Sequence, residues 1–248
     1  MEWHPWNKVS LEIAKKKKMP IFLSVGYASC HWCHVMAHES FENINTAKIL
    51  NENFINIKVD REERPDLDNI FQKSLSILTG AQGGWPLSMF LDENGVPFTG
   101  GTYFAPTEIN GRPSFNSVIL NVSKVYNENR EKIISQVSQL KSVFKDFNRK
   151  NAVLSQNLEP YAEKIIQYLD DTNGGFKGAP KFPQFYIFET LFYFFRINKN
   201  NKLFKAVETL LLNISSRGIY DHLMGGISRY TVDEKWIVPH FEKMLYDN

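Results

Sequence analysis

Cysteine is scarce in this sequence, with two residues among 248, and both lie together at Cys30 and Cys33. So few cysteines exclude the disulfide-rich scaffold of small secreted domains. Long apolar runs are also absent, and the N-terminus lacks the apolar core of a signal peptide, so we expect a cytoplasmic protein with no membrane partner. The formal net charge is +2, and positively and negatively charged residues are interspersed along the chain, so nothing indicates a nucleic-acid partner.

The two cysteines follow an apolar segment, Ile21–Val25, that predicts a buried strand, and residues 30–41 (CHWCHVMAHESF) predict the next helix. Cys30 therefore lies at a helix N-terminus, where unpaired N–H groups and the helix dipole can lower a thiol pKa from about 8.5 to roughly 3.5–7.5. Cys33 lies about one turn along, close enough to resolve a mixed disulfide. We expect Cys30 to attack disulfides and Cys33, with the less exposed sulfur, to resolve them.

Three other interpretations of the cysteine pair remain open from the residues alone. A structural disulfide would close too short a loop to stabilise the chain much. A zinc site could be drawn from Cys30, Cys33, His34 and His38, although structural zinc usually takes its second ligand pair from a distant segment. Inert buried thiols are the third interpretation. We favour redox chemistry, which requires neither a metal nor a cofactor.

The pattern around the cysteines predicts an α/β domain. Helices are predicted over residues 7–18, 30–41, 45–54 and 67–78, and strands over residues 54–60, 86–91 and 96–98. Asn94-Gly95 is the turn between the last two strands. Asp66 is placed to cap the helix that follows it. Arg61 and Arg64, in the charged turn before that helix, are expected to be structural, with binding of an anionic substrate as the alternative.

The order of these elements resembles the thioredoxin-like fold over roughly residues 7–104. In that family a cis-proline faces the CxxC motif, and the resemblance gives this place to Pro86. A cis-proline turns the neighbouring peptide groups towards a substrate backbone, whereas an ordinary proline that starts a strand is the alternative. The resemblance implies catalytic roles for Cys30 and Cys33 and substrate binding by His31, Trp32, Trp85 and Pro86.

Rarer motifs indicate a narrower family. They are CHWCHVM (30–36), KVDREERPD (58–66), GGWP (83–86) and GGTYF (100–104), and then GGF (174–176), APKFP (179–183) and VPHFEKMLYDN (238–248). Together they resemble the thioredoxin-like family that includes the mammalian spermatogenesis-associated thioredoxin-like protein. That resemblance implies a second domain, a six-hairpin α/α toroid similar to glycosidases and N-acylglucosamine epimerases, and it implies no settled reaction.

We expect two domains. Residues 1–150 would form the thioredoxin-like domain, which ends in a long helix or a broken helix pair, and residues 151–248 would form part of the toroid, after a linker near residues 151–157. Helices are predicted there over residues 158–170, 184–197 and 202–217, and another begins at Phe241. So few helices cannot close a toroid that needs twelve. The dense aromatic residues of the middle helix are expected to form core.

The second part also carries ionisable residues near glycines. His222, His240 and Glu242, with Asp221 and Asp233, could act as general acid and base on a sugar if they share a pocket, although polar groups in such segments more often hold loops in place.

The leading hypothesis is a thiol-disulfide oxidoreductase that acts on protein or small-molecule disulfides through the Cys-His-Trp-Cys motif. The alternatives are a sugar-converting enzyme with an accessory thioredoxin-like domain, and a redox-sensing or metal-binding module. The oligomeric state cannot be predicted from these patterns.

Overall fold

The structure is a computed structural model that describes residues 1–149 and 159–248. The chain divides into two compact units, Met1–Asn151 and Ala152–Asn248, and each is described by itself. The predicted linker, residues 151–157, lies outside the described residues. None of the helices within the described ranges is long and apolar enough to cross a membrane.

A four-stranded mixed sheet forms the centre of the first unit. Its strands are β1 (Ile21–Gly26), β2 (Ile55–Asp60), β3 (Leu87–Leu91) and β4 (Pro97–Gly101), in the spatial order β2-β1-β3-β4. β1 is parallel to β2, whereas β3 is antiparallel to both β1 and β4. Helices connect the parallel pair and a hairpin joins the last two strands, which is the thioredoxin-like arrangement that the sequence predicts.

Both faces of this sheet are buried, which is why β1 is apolar along most of its length. Leu23 and Val25 point into a core on one face, whereas Phe22 points into a second core on the other face. β3 alternates in the same way, with Met89 on the first face and Phe90 on the second. Because β1 is central, its carboxyl end, and the cysteines that follow it, lie next to the start of β3.

Helices cover both faces of the sheet. They are α1 (Lys8–Lys17), α2 (His31–Met36), α3 (Ile44–Asn53), α4 (Pro65–Thr79), α5 (Phe115–Glu128) and α6 (Arg130–Arg149), and α2 continues into a π-helical turn over Ala37–Phe41. The predicted long helix after residue 114 is a broken pair, since α5 ends before Asn129 and α6 begins after it.

The helix after β2 begins differently from the prediction. Its N-cap is Arg64, Pro65 takes the first helical position, and Asp66 lies inside the first turn, where its carboxylate pairs with Arg64. The prediction that Asp66 caps this helix is therefore wrong. The reason is that proline has no N–H to satisfy and suits the first helical position, so the helix starts one residue before Asp66.

The second unit contains α7 (Glu159–Ile166), α8 (Phe185–Asn198) and α9 (Asn201–Ser216), and its core includes Leu191, Leu210 and Trp236. One sequence prediction is wrong here. The described chain from Phe241 is irregular and forms a 3₁₀ turn at Leu245–Asp247 instead of a new α-helix.

The aromatic residues of α8 form core in part, as predicted. Phe188 is buried and Phe185, Phe194 and Phe195 pack against the core, whereas Tyr186, Phe192 and Tyr193 are exposed. The reason is that α8 packs against α7 and α9 on one side, so residues on its opposite side face outward.

Candidate functional site

A disulfide joins Cys30 and Cys33 where β1 leads into α2. Their Cα atoms are 5.2 Å apart, and Cys30 is the N-cap residue of α2. The backbone N–H of Cys33 donates to Sγ of Cys30 at 3.1 Å. A helix leaves the N–H groups of its first turn unpaired, so this contact stabilises negative charge on Cys30 once the disulfide is reduced.

The exposure of the two cysteines is the reverse of the prediction. Cys30 is 3% exposed, whereas Cys33 is partly exposed. The prediction placed the Cys33 sulfur deeper because Cys33 lies farther along the helix, but this sulfur packs beside Gly26, at the wall of an open cavity. Position along the helix axis decides which thiolate the N–H groups stabilise, whereas the cavity gives small solutes a route to Cys33 in the oxidised protein.

The cavity beside Cys33 has a volume of about 410 Å³. The end of β1, one side of α2, the end of β2 and Pro86 form its walls. Its polar and ionisable lining residues are Ser24, Tyr27, Cys33, His34, Lys58, Asp60 and Glu63. A space of this size suits a small molecule or one side chain of a larger substrate.

Gly26 keeps the space next to Cys33 open. A Cβ at this position would lie 2.8 Å from Sγ of Cys33, closer than non-bonded atoms approach. We expect Gly26→Ala to destabilise the oxidised protein by about 1–3 kcal/mol, as overpacking does, in urea denaturation. Gly84→Ala is the matched control, because its Cβ would meet a side-chain methyl group of Thr102 at an ordinary 3.7 Å. Equal loss of stability in the two variants would contradict this account.

The loop Gly83–Pro86 lies beside the disulfide. Leu87, the residue after it, pairs with Val25 at the end of β1, and Pro86 lines the same cavity as Cys33. The Trp85–Pro86 peptide bond is cis. The loop and the cysteine pair therefore share one cavity.

Side chains of α4 hold this loop in place. Gln72 forms two hydrogen bonds with Gly84: its Nε2 donates to the carbonyl oxygen at 3.1 Å, and its Oε1 accepts from the backbone N–H at 3.0 Å. The indole N–H of Trp85 donates to Asp68 at 2.9 Å. Asp68 and Gln72 are four residues apart on one face of α4, so a single helix fixes the whole loop.

Arg61 completes the contacts of Trp85. Its guanidinium lies 4.3 Å from the ring centroid of Trp85, an attractive cation–π arrangement, and donates to Asp68 at 3.2 Å. Arg64 pairs with Asp66 at 2.7 Å. Both arginines are thus engaged with carboxylates, which agrees with the structural role expected for them and does not support binding of an anionic substrate.

His31 and Trp32 occupy the exposed first turn of α2. The ring of Trp32, which is 52% exposed, packs against Tyr103 at a centroid distance of 5.2 Å, and the Tyr103 hydroxyl donates to Glu39. Partial burial, and then the Glu39 carboxylate, raise the pKa of Tyr103 to about 12, so its hydroxyl stays protonated at neutral pH. These residues form an aromatic surface on the helix that carries the disulfide.

The residues of the alternative zinc site do not converge. Nε2 of His34 lies 2.6 Å from the carbonyl oxygen of Ala28, and Nδ1 of His38 lies 2.9 Å from the Glu42 carboxylate. Across the part of the chain that the structure describes, no group of three or more cysteine, histidine, aspartate or glutamate side chains is arranged to hold a metal ion.

The candidate acid–base residues of the second unit lie near one another. Asp221, His222 and Glu242 line a cavity of about 670 Å³. His240 is not among its lining residues, and its Nε2 lies 3.4 Å from Oε2 of Glu242.

Asp221 and Asp233 hold loops in place. Asp221 accepts from Lys243 at 2.6 Å, and this hydrogen bond is the main cause of the lowered pKa of Asp221. Burial alone would raise the pKa of Asp233, but backbone N–H groups, that of Val238 foremost, outweigh burial and lower it. Both groups are therefore ionised loop anchors and unsuited to act as general acids.

Sequence reasoning does not identify Asp68, Gln72 and Tyr103 as part of the site. Asp68 and Gln72 have the spacing of one helix face, but no pattern shows that this face meets the loop Gly83–Pro86. Tyr103 lies within the GGTYF motif. This motif indicates the family but does not predict that Tyr103 contacts Trp32.

Comparison with known proteins gives the family. The model of the Thioredox_DsbH family, described as a protein of unknown function, DUF255, matches residues 1–145. An uncharacterised protein of Caenorhabditis elegans is 39% identical over 259 residues, and human spermatogenesis-associated protein 20 is 36% identical over 260 residues. These alignments cover 100% of this chain but 35% and 33% of the two relatives, so the chain spans about a third of their length.

Two solved structures show partial likeness. A protein titled DsbH Oxidoreductase is 16% identical, with a TM-score of 0.37 over 52% of this chain and 85% of that one. A thioredoxin from Thermus thermophilus is 15% identical, with a TM-score of 0.36 over 52% of this chain and 95% of that one. The family match covers the sheet, the cysteine pair and the loop Gly83–Pro86. The chain therefore belongs to the Thioredox_DsbH family.

Proposed function

We propose that the protein is a thiol-disulfide oxidoreductase of thioredoxin-like type that acts through Cys30 and Cys33. The observation that carries this proposal is the cysteine pair at the N-terminus of α2, with the N–H of Cys33 directed at Sγ of Cys30. A disulfide between residues three apart adds little stability by closing a loop, which favours an exchange role over a structural one.

The proposed reaction begins with the reduced pair. The Cys30 thiolate attacks one sulfur of a substrate disulfide, forms a mixed disulfide and releases the other substrate sulfur as a thiolate. Cys33 then loses its proton and attacks Sγ of Cys30, which frees the second substrate thiol and regenerates the disulfide seen in the structure. Two electrons pass from the protein to the substrate, and the reverse sequence oxidises a dithiol.

We assign substrate contacts to residues on two sides of the disulfide. His31 and Trp32 are exposed on α2, and Trp85 and Pro86 belong to the loop that α4 holds in place. The exposed aromatic side chain of Trp32 suits protein or small-molecule disulfides of varied structure.

The second unit is proposed to be part of an α/α toroid, and residues 1–150 and 151–248 are proposed as the domain division. The cytoplasmic location remains a prediction. The cavity around His222 is not proposed to be a sugar-converting site, because its two carboxylates already have partners: Asp221 pairs with Lys243, and Glu242 lies 3.4 Å from His240.

A disulfide-exchange assay on a protein substrate tests the proposal. We expect the wild-type chain to reduce protein disulfides when a dithiol supplies electrons, and the double variant Cys30→Ser/Cys33→Ser to lose this activity to background. The variant Ser29→Ala is a control that leaves both thiols in place. Activity that survives loss of both thiols would instead support an enzyme with another active site.

A further inference from the structure

Lys58 lies at the junction of two cavities. It lines the 410 Å³ cavity that contains Cys33, and it also lines a second cavity of about 680 Å³ on the side of Trp3. Ala37 and Phe41 belong to both linings as well. A solute that enters either cavity can therefore reach the Lys58 side chain, and the first cavity leads from there to Cys33.

The ammonium group of Lys58 has aromatic neighbours and no carboxylate within ion-pair distance among the described residues. Its Nζ lies 5.2 Å from the ring centroid of Trp3 and 5.5 Å from that of Phe41. The nearest acidic residues of the second cavity are already paired, Glu42 with His38 and Glu52 with Lys48. Desolvation by the surrounding groups lowers the pKa of Lys58, and a bound anion would offset this cost.

The lining of the Cys33 cavity also contains acidic residues. Asp60 follows Lys58 by two residues on β2, so both side chains lie on the same face of the strand about 7 Å apart. Asp60 and Glu63 both line this cavity, and Glu63 forms no ion pair in the described part of the chain. The cavity is thus lined by a cation, by carboxylates that begin about 7 Å farther along β2, and by Cys33.

We propose that this cavity binds a low-molecular-weight amino-acid thiol, with its carboxylate at Lys58, its ammonium group at Asp60 and Glu63, and its sulfur at Cys33. The inference rests on the proposed function, since it names the class of thiol that reduces the oxidised pair. It also gives a use to the partly exposed position of Cys33, because Cys33 lines this cavity and Cys30 does not.

Reduction of the Cys30–Cys33 disulfide consumes two molecules of the small thiol. The first thiolate attacks Sγ of Cys33, the Cys30–Cys33 bond breaks, and Cys30 leaves as a thiolate, which the N–H of Cys33 stabilises. A lower thiol pKa makes a better leaving group, so attack on Cys33 is favoured electrostatically as well as by access. The second thiolate attacks the mixed disulfide, releases the small disulfide and leaves both protein cysteines reduced.

Three related thiols test this inference on the oxidised full chain. They are cysteine, cysteine methyl ester, which lacks the carboxylate, and N-acetylcysteine, which lacks the ammonium group. Rate constants for reduction of the disulfide are compared per thiolate and divided by those of the same thiol with a small-molecule disulfide, because thiolates of different pKa differ in nucleophilicity. We expect cysteine to react about twofold to fivefold faster than either analogue, the range that one exposed charge pair gives.

Variants that remove one charge test which residues bind the carboxylate and the ammonium group of the thiol. Lys58→Gln should abolish the advantage of cysteine over its methyl ester, and Glu63→Gln should reduce its advantage over N-acetylcysteine. Lys8→Gln, the same charge change on an exposed residue of α1, should change neither ratio. Acid quenching followed by mass mapping should find the small thiol on Cys33.

Equal rates for the three thiols, unchanged ratios in Lys58→Gln, or a small thiol mapped to Cys30 would overturn this inference while leaving the proposed exchange function intact. If none of the three thiols reduces the disulfide, the proposed function itself fails.

Discussion

Cys33→Ser is expected to accumulate mixed disulfides on Cys30 when the reduced protein meets disulfide substrates, at least about tenfold more than Cys30→Ser does. Cys30 is the N-cap residue of α2 and accepts the N–H of Cys33, so its thiolate is the better stabilised of the two. Without Cys33 no internal thiol can release the bound substrate. In Cys30→Ser the remaining thiol lacks the N-cap position and should trap little.

The measurement is mass mapping of trapped and alkylated sites in both variants. Alkylation of the reduced wild-type protein across pH should show one cysteine reacting well below the range of a free thiol, about pH 8.5, and that cysteine should be Cys30. Equal reactivity of the two thiols would contradict the assigned asymmetry. Protection of both thiols that is lifted by a chelator would instead favour the metal-binding alternative.

Lys181→Ala is expected to lower the free energy of unfolding of the second unit by about 3–5 kcal/mol, the cost of removing one partner from a buried ion pair. The Lys181 side chain is 1% exposed, and its Nζ lies 2.6 Å from Oδ2 of Asp170. Burial alone would raise the pKa of Asp170, but the N–H groups of Asn173 and the Lys181 ammonium outweigh it and lower the pKa. Without Lys181, the buried carboxylate loses its cation.

Urea denaturation at neutral pH measures this loss, and Lys205→Ala is the control. Lys205 pairs with Glu208 at 2.8 Å on an exposed helix face, where such a pair contributes about 0–1 kcal/mol. Because the pKa of Asp170 is lowered in the folded state, its contribution is present above the unfolded pKa of about 3.9 and is lost as pH falls below it. A loss no larger in Lys181→Ala than in Lys205→Ala would contradict the buried-pair account.

Local patterns predicted most elements of the first unit. β1 and β3 are apolar apart from Ser24, Gly26 and Ser88 because both faces of the sheet are buried, and the Asn94-Gly95 turn precedes β4 as predicted. The predicted start of α4 is wrong because Pro65 and Asp66 are both signals of a helix start. Pro65 favours a helix that begins at Pro65, whereas Asp66 as the N-cap would make Leu67 the first helical residue.

The exposure of side chains and the contacts between residues distant in sequence could not be predicted from the sequence. The accessibility of Cys33 depends on a cavity whose walls come from β1, α2 and β2, and no local spacing encodes such an assembly. The contact of Asp68 with Trp85 joins residues 17 positions apart. The exposure of Tyr186 and Phe192 likewise depends on which sides of α8 have neighbours. The spacing of aromatic residues shows that the helix is apolar, but it does not show which elements pack against it.

Redox titration of the Cys30–Cys33 couple with a thiol count tests the central claim most directly. The protein would be equilibrated with buffers of defined thiol and disulfide ratio, quenched with acid, and its free thiols counted and mapped. The exchange function predicts a reversible two-electron transition. Its reduction potential should lie between that of a strong oxidant, about −120 mV, and that of a reductant, about −270 mV. A disulfide that resists reduction until below about −300 mV, as structural disulfides do, or a pair that never oxidises, would contradict it.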